Sequence, residues 1–169
     1  FKVGDKVMAI MKYGAYQTEV IVPQENTYYV PKGMQLLHAG GFPVVYGTAY
    51  SALATKAKLK KNEICVILGA TGGVGMAAIE IAKARKAIVI ACGGNDEKLS
   101  ECLKKGADYV LNYNNKIIRQ ELRKLGVSEV DVVIDMVGGQ PSLDLVKSLK
   151  WNGRLIVVGF TSGNIQEIP

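Results

Sequence analysis

Ile64-Cys65-Val66-Ile67-Leu68-Gly69-Ala70-Thr71-Gly72-Gly73-Val74-Gly75 is the stretch that decides how the chain reads. Its first five residues form a continuous apolar run rich in β-branched side chains, the pattern of a parallel strand buried on both faces. A glycine-dense turn follows. Met76 to Ala84 then continues as a helix, with Val74, Ala78, Ile81 and Ala82 at helical spacing. Strand, glycine turn and helix make a dinucleotide-binding unit, because the turn admits a pyrophosphate and the helix N-terminus offers unpaired N–H groups to it. The segment Ala70 to Gly75 fits the G-x-G-x-x-G pattern with alanine in the first slot. The plainer alternative is a tight strand-to-helix turn that binds nothing.

Downstream the alternation repeats. Strand 87–91 leads to a helix from Asp96 to Lys105, closed by Gly106. Strand 109–111 leads to helix 116–125, closed by Gly126. Strand 130–135 leads to helix 141–149, opened by Pro141, and Asn152-Gly153 turns into strand 154–158. Five strands with four intervening helices predict an α/β fold, a doubly wound parallel (Rossmann) sheet. Lys86 sits at a helix-to-strand turn where glycine is cheapest, and a left-handed lysine there costs about 1 kcal/mol. Upstream, 6–10, 15–22 and 27–30 read as short β runs broken at Gly14, Pro23 and Pro31. A helical turn over 34–39 ends at Gly40-Gly41, and Pro43 opens a helix to about Lys58. The expected division is therefore 1–42, the tail of an incomplete β domain, and 43–169, the dinucleotide-binding domain.

The chain has 169 residues, 49% of them apolar and 21% charged. That composition places it among soluble globular chains. No apolar run reaches the roughly 18 residues of a membrane span. The first residues resemble no signal or transit peptide and lack an initiator methionine, so a piece of a longer chain is expected. The net charge of +6 suits a phosphate-bearing ligand, but the lysines are scattered and a nucleic-acid partner is not expected. Cys65, Cys92 and Cys102 lack metal or redox spacing and read as buried thiols of a reducing compartment. The expected location is cytoplasmic, with mitochondrial as the alternative.

Several segments carry a family resemblance: 1–7, Gly47-Thr48-Ala49-Tyr50, Gly69 to Gly75, Lys105-Gly106-Ala107-Asp108, Asn112-Tyr113, Asp135 to Gly139, and Gly153 to Gly159. Together they resemble the zinc-independent, zeta-crystallin-like quinone oxidoreductases of the medium-chain dehydrogenase/reductase superfamily. The resemblance implies a nicotinamide-coenzyme reductase with a GroES-like catalytic β domain and a Rossmann domain. It implies that parts of the catalytic domain and the sixth Rossmann strand lie outside this chain. It also implies a homodimer for the full-length protein.

Coenzyme choice can be argued locally. NAD sites place an acid about 20 residues after the glycine motif, at the end of the second strand, for the ribose 2′-hydroxyl. Here that strand ends in Cys92-Gly93-Gly94 with no carboxylate. By resemblance a 2′-phosphate would be held by Gly94, Lys98 and Tyr113, and the pyrophosphate by Thr71, Gly72, Gly73 and Val74. NADPH is therefore expected, with NADH as the alternative. Asp96 and Glu97 weigh against this. They read as first-turn acids favoured by the helix dipole behind an Asn95 cap.

Zinc is not expected. Val44 stands where zinc-dependent relatives carry a ligand cysteine, residues 8–22 hold no cysteine, and His38 has no partner at ligand spacing. By resemblance Thr48, Met136, Gly138, Gly159 and Phe160 border the nicotinamide. Thr48 and Tyr50 are the candidate catalytic residues. Tyr50 either touches substrate or packs at the domain joint. The expected activity is hydride transfer from NADPH to a quinone or α,β-unsaturated carbonyl, with an enoyl or alkenal reductase as the near rival. A coenzyme-binding module without turnover, which could include an RNA binder, is the rival of another class. Turnover by the fragment itself is expected to be poor. Strand 154–158, without a sixth strand, is expected to associate through its edge or be covered by residues 161–169.

Overall fold

The structure, a computed structural model, describes residues 1–114, 116–165 and 167–168. The chain divides into two compact units, Phe1–Gly47 and one that begins at Thr48.

In the first unit, β1 (Val7–Ala9) and β2 (Thr27–Tyr29) pair antiparallel, with Val7 opposite Tyr29. This small sheet matches the GroES-like tail that the resemblance implies. The rings of Phe1 and Tyr29 lie 4.7 Å apart at one end. No strand forms over 15–22, where Tyr16 and Ile21 are fully exposed. A β-prone run needs a neighbouring strand to take its N–H and C=O groups, and propensity alone does not provide one.

Helix α1 (Leu36–Tyr50) corrects the expectation of two helical pieces, because it runs through Gly40-Gly41 and holds Pro43 in its interior. Glycine costs a helix only about 1 kcal/mol, so a glycine pair weakens a helix without ending it. Pro43 removes one backbone bond, and the helix continues past it. A single π-helical turn (Ser51–Lys56) follows, closed by Ala57 N–H donating to the Ala52 carbonyl at 2.8 Å. It buries Ala52 and Leu53 and packs against α2.

The second unit is built on a five-stranded parallel sheet. Its strands are β3 (Ile64–Leu68), β4 (Ile88–Gly93), β5 (Tyr109–Asn112), β6 (Val130–Asp135) and β7 (Leu149–Val157). They lie in the order β5-β4-β3-β6-β7. The crossovers are α2 (Gly73–Ala84), α3 (Asp96–Lys104), α4 (Ile118–Lys124) and α5 (Gly139–Val146). This is the Rossmann-like fold expected. Every residue of β6 is buried, and Cys65 to Leu68 of β3 have no exposed surface. Val66, Leu68, Ile90 and Cys92 pack with Ile118 and Leu122 of α4 and Leu145 of α5. Strand alternation sends Cys65, Ile67, Val89 and Ala91 to the other face, and α2 packs on β3 and β4.

Strand β7 begins earlier than expected. Leu149 already pairs with Val130, and Arg154 then pairs with Val132. The intervening residues bulge, with Asn152 left-handed at φ 62. Lys86 is left-handed as well, at φ 61. Among the described residues no helix is long and apolar enough to cross a membrane.

Candidate functional site

The strand order reverses at β3, which has β4 on one side and β6 on the other. In a doubly wound sheet the crevice for a ligand opens at the carboxyl ends of the strands at this point. The β3–α2 turn stands there. Gly69 takes φ 86, and the Gly69 and Ala70 N–H groups both donate to the Cys92 carbonyl at 3.0 Å. The turn is thereby tied to the end of β4. A Cβ on Gly75 would lie 2.5 Å from Ala70 Cα and 2.5 Å from the Gly69 carbonyl oxygen. Only glycine lets α2 start so close to the turn.

Gly72 is the opposite case. A Cβ there would meet only the Gly69 oxygen, at 3.7 Å. Gly72 occupies the N-cap position and no side chain caps the helix. The N–H groups of the first turn have no intrahelical acceptors. The result is an open cradle of backbone donors at the positive end of α2, the chemistry that holds a pyrophosphate. Gly72 and Gly73 are exposed, and Thr71 and Val74 are half-buried beside them.

On one side this turn meets β6. A Cβ on Gly69 would come within 3.0 Å of Val137 Cγ2 and 3.2 Å of Met136 Cβ. The 136–138 turn is set by Asp135, which is 1% exposed. Its Oδ1 accepts from the Val137 N–H at 2.8 Å and the Gly138 N–H at 2.9 Å. The Asp135 carbonyl accepts from Val158 N–H at 2.7 Å, and the Met136 carbonyl from Thr161 N–H at 3.1 Å. Gly138, at φ 73 and ψ −161, occupies backbone space open essentially to glycine alone. A Cβ there would strike the Asn164 carbonyl at 2.7 Å and approach the Phe160 ring at 3.2 Å. Met136, Gly138, Gly159 and Phe160 are thus gathered around one turn. Asp135 is the residue that sequence reasoning passed over. Its signal was a carboxylate ending a strand after the apolar run Val132-Val133-Ile134, three residues before a glycine pair.

On the other side the turn meets β4 and β5. A Cβ on Gly93 would lie 2.8 Å from Thr71 Cγ2. Tyr113 N–H donates to the Gly93 carbonyl at 3.1 Å. Burial pushes the Tyr113 phenol up, and the nearby Cys92 thiol and Asp135 carboxylate add to the shift, so it stays a neutral hydroxyl. Beside it an open pocket of about 350 Å³ is lined by Lys116, Ile117, Gln140, Pro141 and Asp144. Asn95 caps α3 as expected, its Oδ1 accepting from Lys98 N–H at 2.9 Å. The Lys98 side chain is exposed. Asp96 accepts from Asn112 Nδ2 at 2.8 Å, and Asn114 Nδ2 donates to the Gly94 carbonyl at 2.6 Å. Neither asparagine amide was singled out in the sequence, since nothing local marks a strand-end asparagine as a partner of a helix acid.

Contacts therefore run along the carboxyl edge of the sheet from Phe160 through Met136 and the glycine turn to Gly94 and Tyr113. Thr48 and Tyr50 lie on the last turn of α1. Thr48 is half-buried, and Tyr50 is 59% exposed. A larger pocket, about 630 Å³, lies in the first unit and is lined by residues from Phe1 to Gly40, none of them from the parallel sheet.

Among the described residues no three His, Cys, Asp or Glu side chains converge. Burial pushes the Cys65 and Cys92 thiols up to about 12, so both are neutral thiols of the core.

Residues 73–169 match the family described as zinc-binding dehydrogenase. The chain is 36% identical to quinone oxidoreductase-like protein 2 of Mus musculus, over 99% of this chain and 49% of that one. Among solved structures, a probable oxidoreductase from Mycobacterium abscessus superposes with a TM-score of 0.85 at 35% identity, over 92% of this chain and 49% of that one. The quinone oxidoreductase of Thermus thermophilus, solved also as its NADPH complex, gives 0.81 at 28% identity, over 94% and 51%. The chain spans about half the length of each of these relatives.

Proposed function

Since the chain belongs to the zinc-binding dehydrogenase family, whose matched relatives are oxidoreductases, we propose that it is the coenzyme-binding part of an NADPH-dependent reductase of quinones or α,β-unsaturated carbonyls. The observation that carries this reading is the uncapped start of α2 at the switch point, with Gly75 packed onto the turn and Gly72 open. In this reading the coenzyme supplies the hydride. The first-turn N–H groups of α2, with Thr71 and Val74 beside them, hold its pyrophosphate. The 136–138 turn, fixed by Asp135, and the backbone at Gly159 and Phe160 orient the nicotinamide. Thr48 and Tyr50 of α1 stand on the substrate side.

Lys98 and Tyr113, with the backbone at Gly94, receive the 2′-phosphate. The Tyr113 hydroxyl is a donor, and Lys98 supplies charge. The reaction in this reading uses no zinc: carbonyl activation comes from hydrogen bonding and from positioning of the donor. Residues 1–42 are the end of a catalytic β domain, residues 43–169 the dinucleotide-binding domain, and the whole protein is a homodimer.

Calorimetric titration of Lys98→Ala tests the coenzyme assignment. The variant should bind NADPH about 1–2 kcal/mol more weakly, the worth of one charge-assisted contact, and NADH nearly as before. Equal weakening of both coenzymes would remove Lys98 from the phosphate site.

A further inference from the structure

Of the two first-turn acids that argue against NADPH, Asp96 is the nearer to the strand end, opening α3 only three residues beyond the end of β4. A carboxylate near this strand end binds a ribose 2′-hydroxyl and repels a 2′-phosphate. The asparagine pair at the end of β5 answers that objection. Asn112 Oδ1 is taken by the Asn114 N–H at 2.9 Å, so the other end of its amide, Nδ2, faces Asp96 and donates to Oδ1 at 2.8 Å. Asn114 in turn donates Nδ2 to the Gly94 carbonyl at 2.6 Å, tying this turn to the end of β4. With its oxygen turned to a backbone donor, the Asn112 amide presents its NH₂ group to Asp96, whose ionised carboxylate can only accept. The Asp96 carboxylate is thus drawn to the β5 side.

We propose that Asn112 is a positioning residue for coenzyme choice: it holds the Asp96 carboxylate toward β5 and away from the 2′ position of the adenosine ribose, so that a 2′-phosphate is accepted. The proposal rests on the coenzyme reading above and adds a residue that acts through Asp96. Removing the amide frees a negative charge close to the phosphate, while an aspartate at the same position keeps the size but repels Asp96.

The test is calorimetric titration of NADPH and NADH into the protein and three variants, read as the ratio of the two dissociation constants. Asn112→Ala and Asn112→Asp should each lower the preference for NADPH by about five- to tenfold, the effect of a like charge at close range. Asp96→Asn added to Asn112→Ala should restore it. An unchanged ratio in both single variants overturns the proposal. So does a lowered ratio that Asp96→Asn fails to restore, since the loss would then come from the 112–114 turn itself. A native protein without NADPH preference, whose ratio still falls in both single variants and recovers with Asp96→Asn, refutes the coenzyme reading and upholds the role of Asn112. Binding of neither coenzyme overturns both.

Discussion

Lys86 carries a backbone conformation that its own side chain disfavours. It follows the end of α2, donates its N–H to the Lys83 carbonyl at 2.8 Å and turns at φ 61 into β4. The position is exposed, so little packing holds the lysine there. Lys86→Gly should therefore raise stability by about 0.5–1 kcal/mol, read as a higher urea midpoint with an unchanged slope. A lower midpoint would mean that the side chain contributes more than the strain costs. Lys86 was legible in the sequence because helix-to-strand turns have few solutions and the helix end was well marked. Asn112 and Asp135 were not legible as partners. Each acts through a hydrogen bond whose other end is set by how strands and helices come together, and no sequence period encodes that.

At the scale of elements, two ion pairs tie the sheet to its surroundings. Arg154 of β7 grips Glu63, just before β3, through both guanidinium nitrogens, Nη1 to Oε1 at 2.9 Å and Nη2 to Oε2 at 2.7 Å. Lys83 of α2 meets Asp108, just before β5, at 2.7 Å. Burial alone would push both carboxyls up. The hydrogen bonds from Arg154 and Lys60 at Glu63, and from Lys83 and Val89 at Asp108, outweigh it and bring both below their ordinary values. A depressed folded pKa means stability that is fully present above the unfolded value, about 4, and lost as pH falls through the folded one. Stability should thus be flat near neutrality and decline below about pH 4. Glu63→Gln should cost about 1–2 kcal/mol at pH 7 and make the acid limb shallower, as measured by urea unfolding across pH. An acid limb unchanged in the variant would show that this pair plays no part.

The edge of the sheet is the second feature at this scale. Strand β7 pairs with β6 alone among the described residues, and Val157 on it is 43% exposed. Unpaired strand edges recruit other chains. The expected cover by residues 161–169 lies partly outside the described residues, at Gln166 and Pro169. We expect this chain to associate through β7. Ile156→Lys should lower the apparent mass in concentration-dependent light scattering, and a native chain that stays monomeric at high concentration would count against the expectation. The parallel strands were readable because burial on both faces leaves long apolar runs. The bulge at 150–153 and the unbroken α1 were not, because Asn-Gly, Gly-Gly and Pro are local turn signals, and here the pairing to β6 and the helix hydrogen bonds prevail over them.

At the scale of the whole molecule, we propose that one coenzyme lies along the carboxyl edge of the sheet, from Gly94 and Tyr113 across the glycine turn to Met136, Gly138 and Phe160. Strand, glycine turn and helix were legible as a dinucleotide unit from twelve residues, because each glycine answers a different steric demand. Gly69 needs its φ, Gly75 its contact with the turn, and Gly72 its openness. Substrate recognition is a different matter, since the chain spans about half of its relatives' length. We expect it to bind coenzyme while turning quinones over well below about 1 per second, a modest enzyme rate. The most direct measurement is calorimetric titration of NADPH and NADH into the 169-residue chain. The chain should bind one coenzyme saturably, NADPH more tightly than NADH, and no measurable binding of either would contradict its assignment as a coenzyme-binding domain.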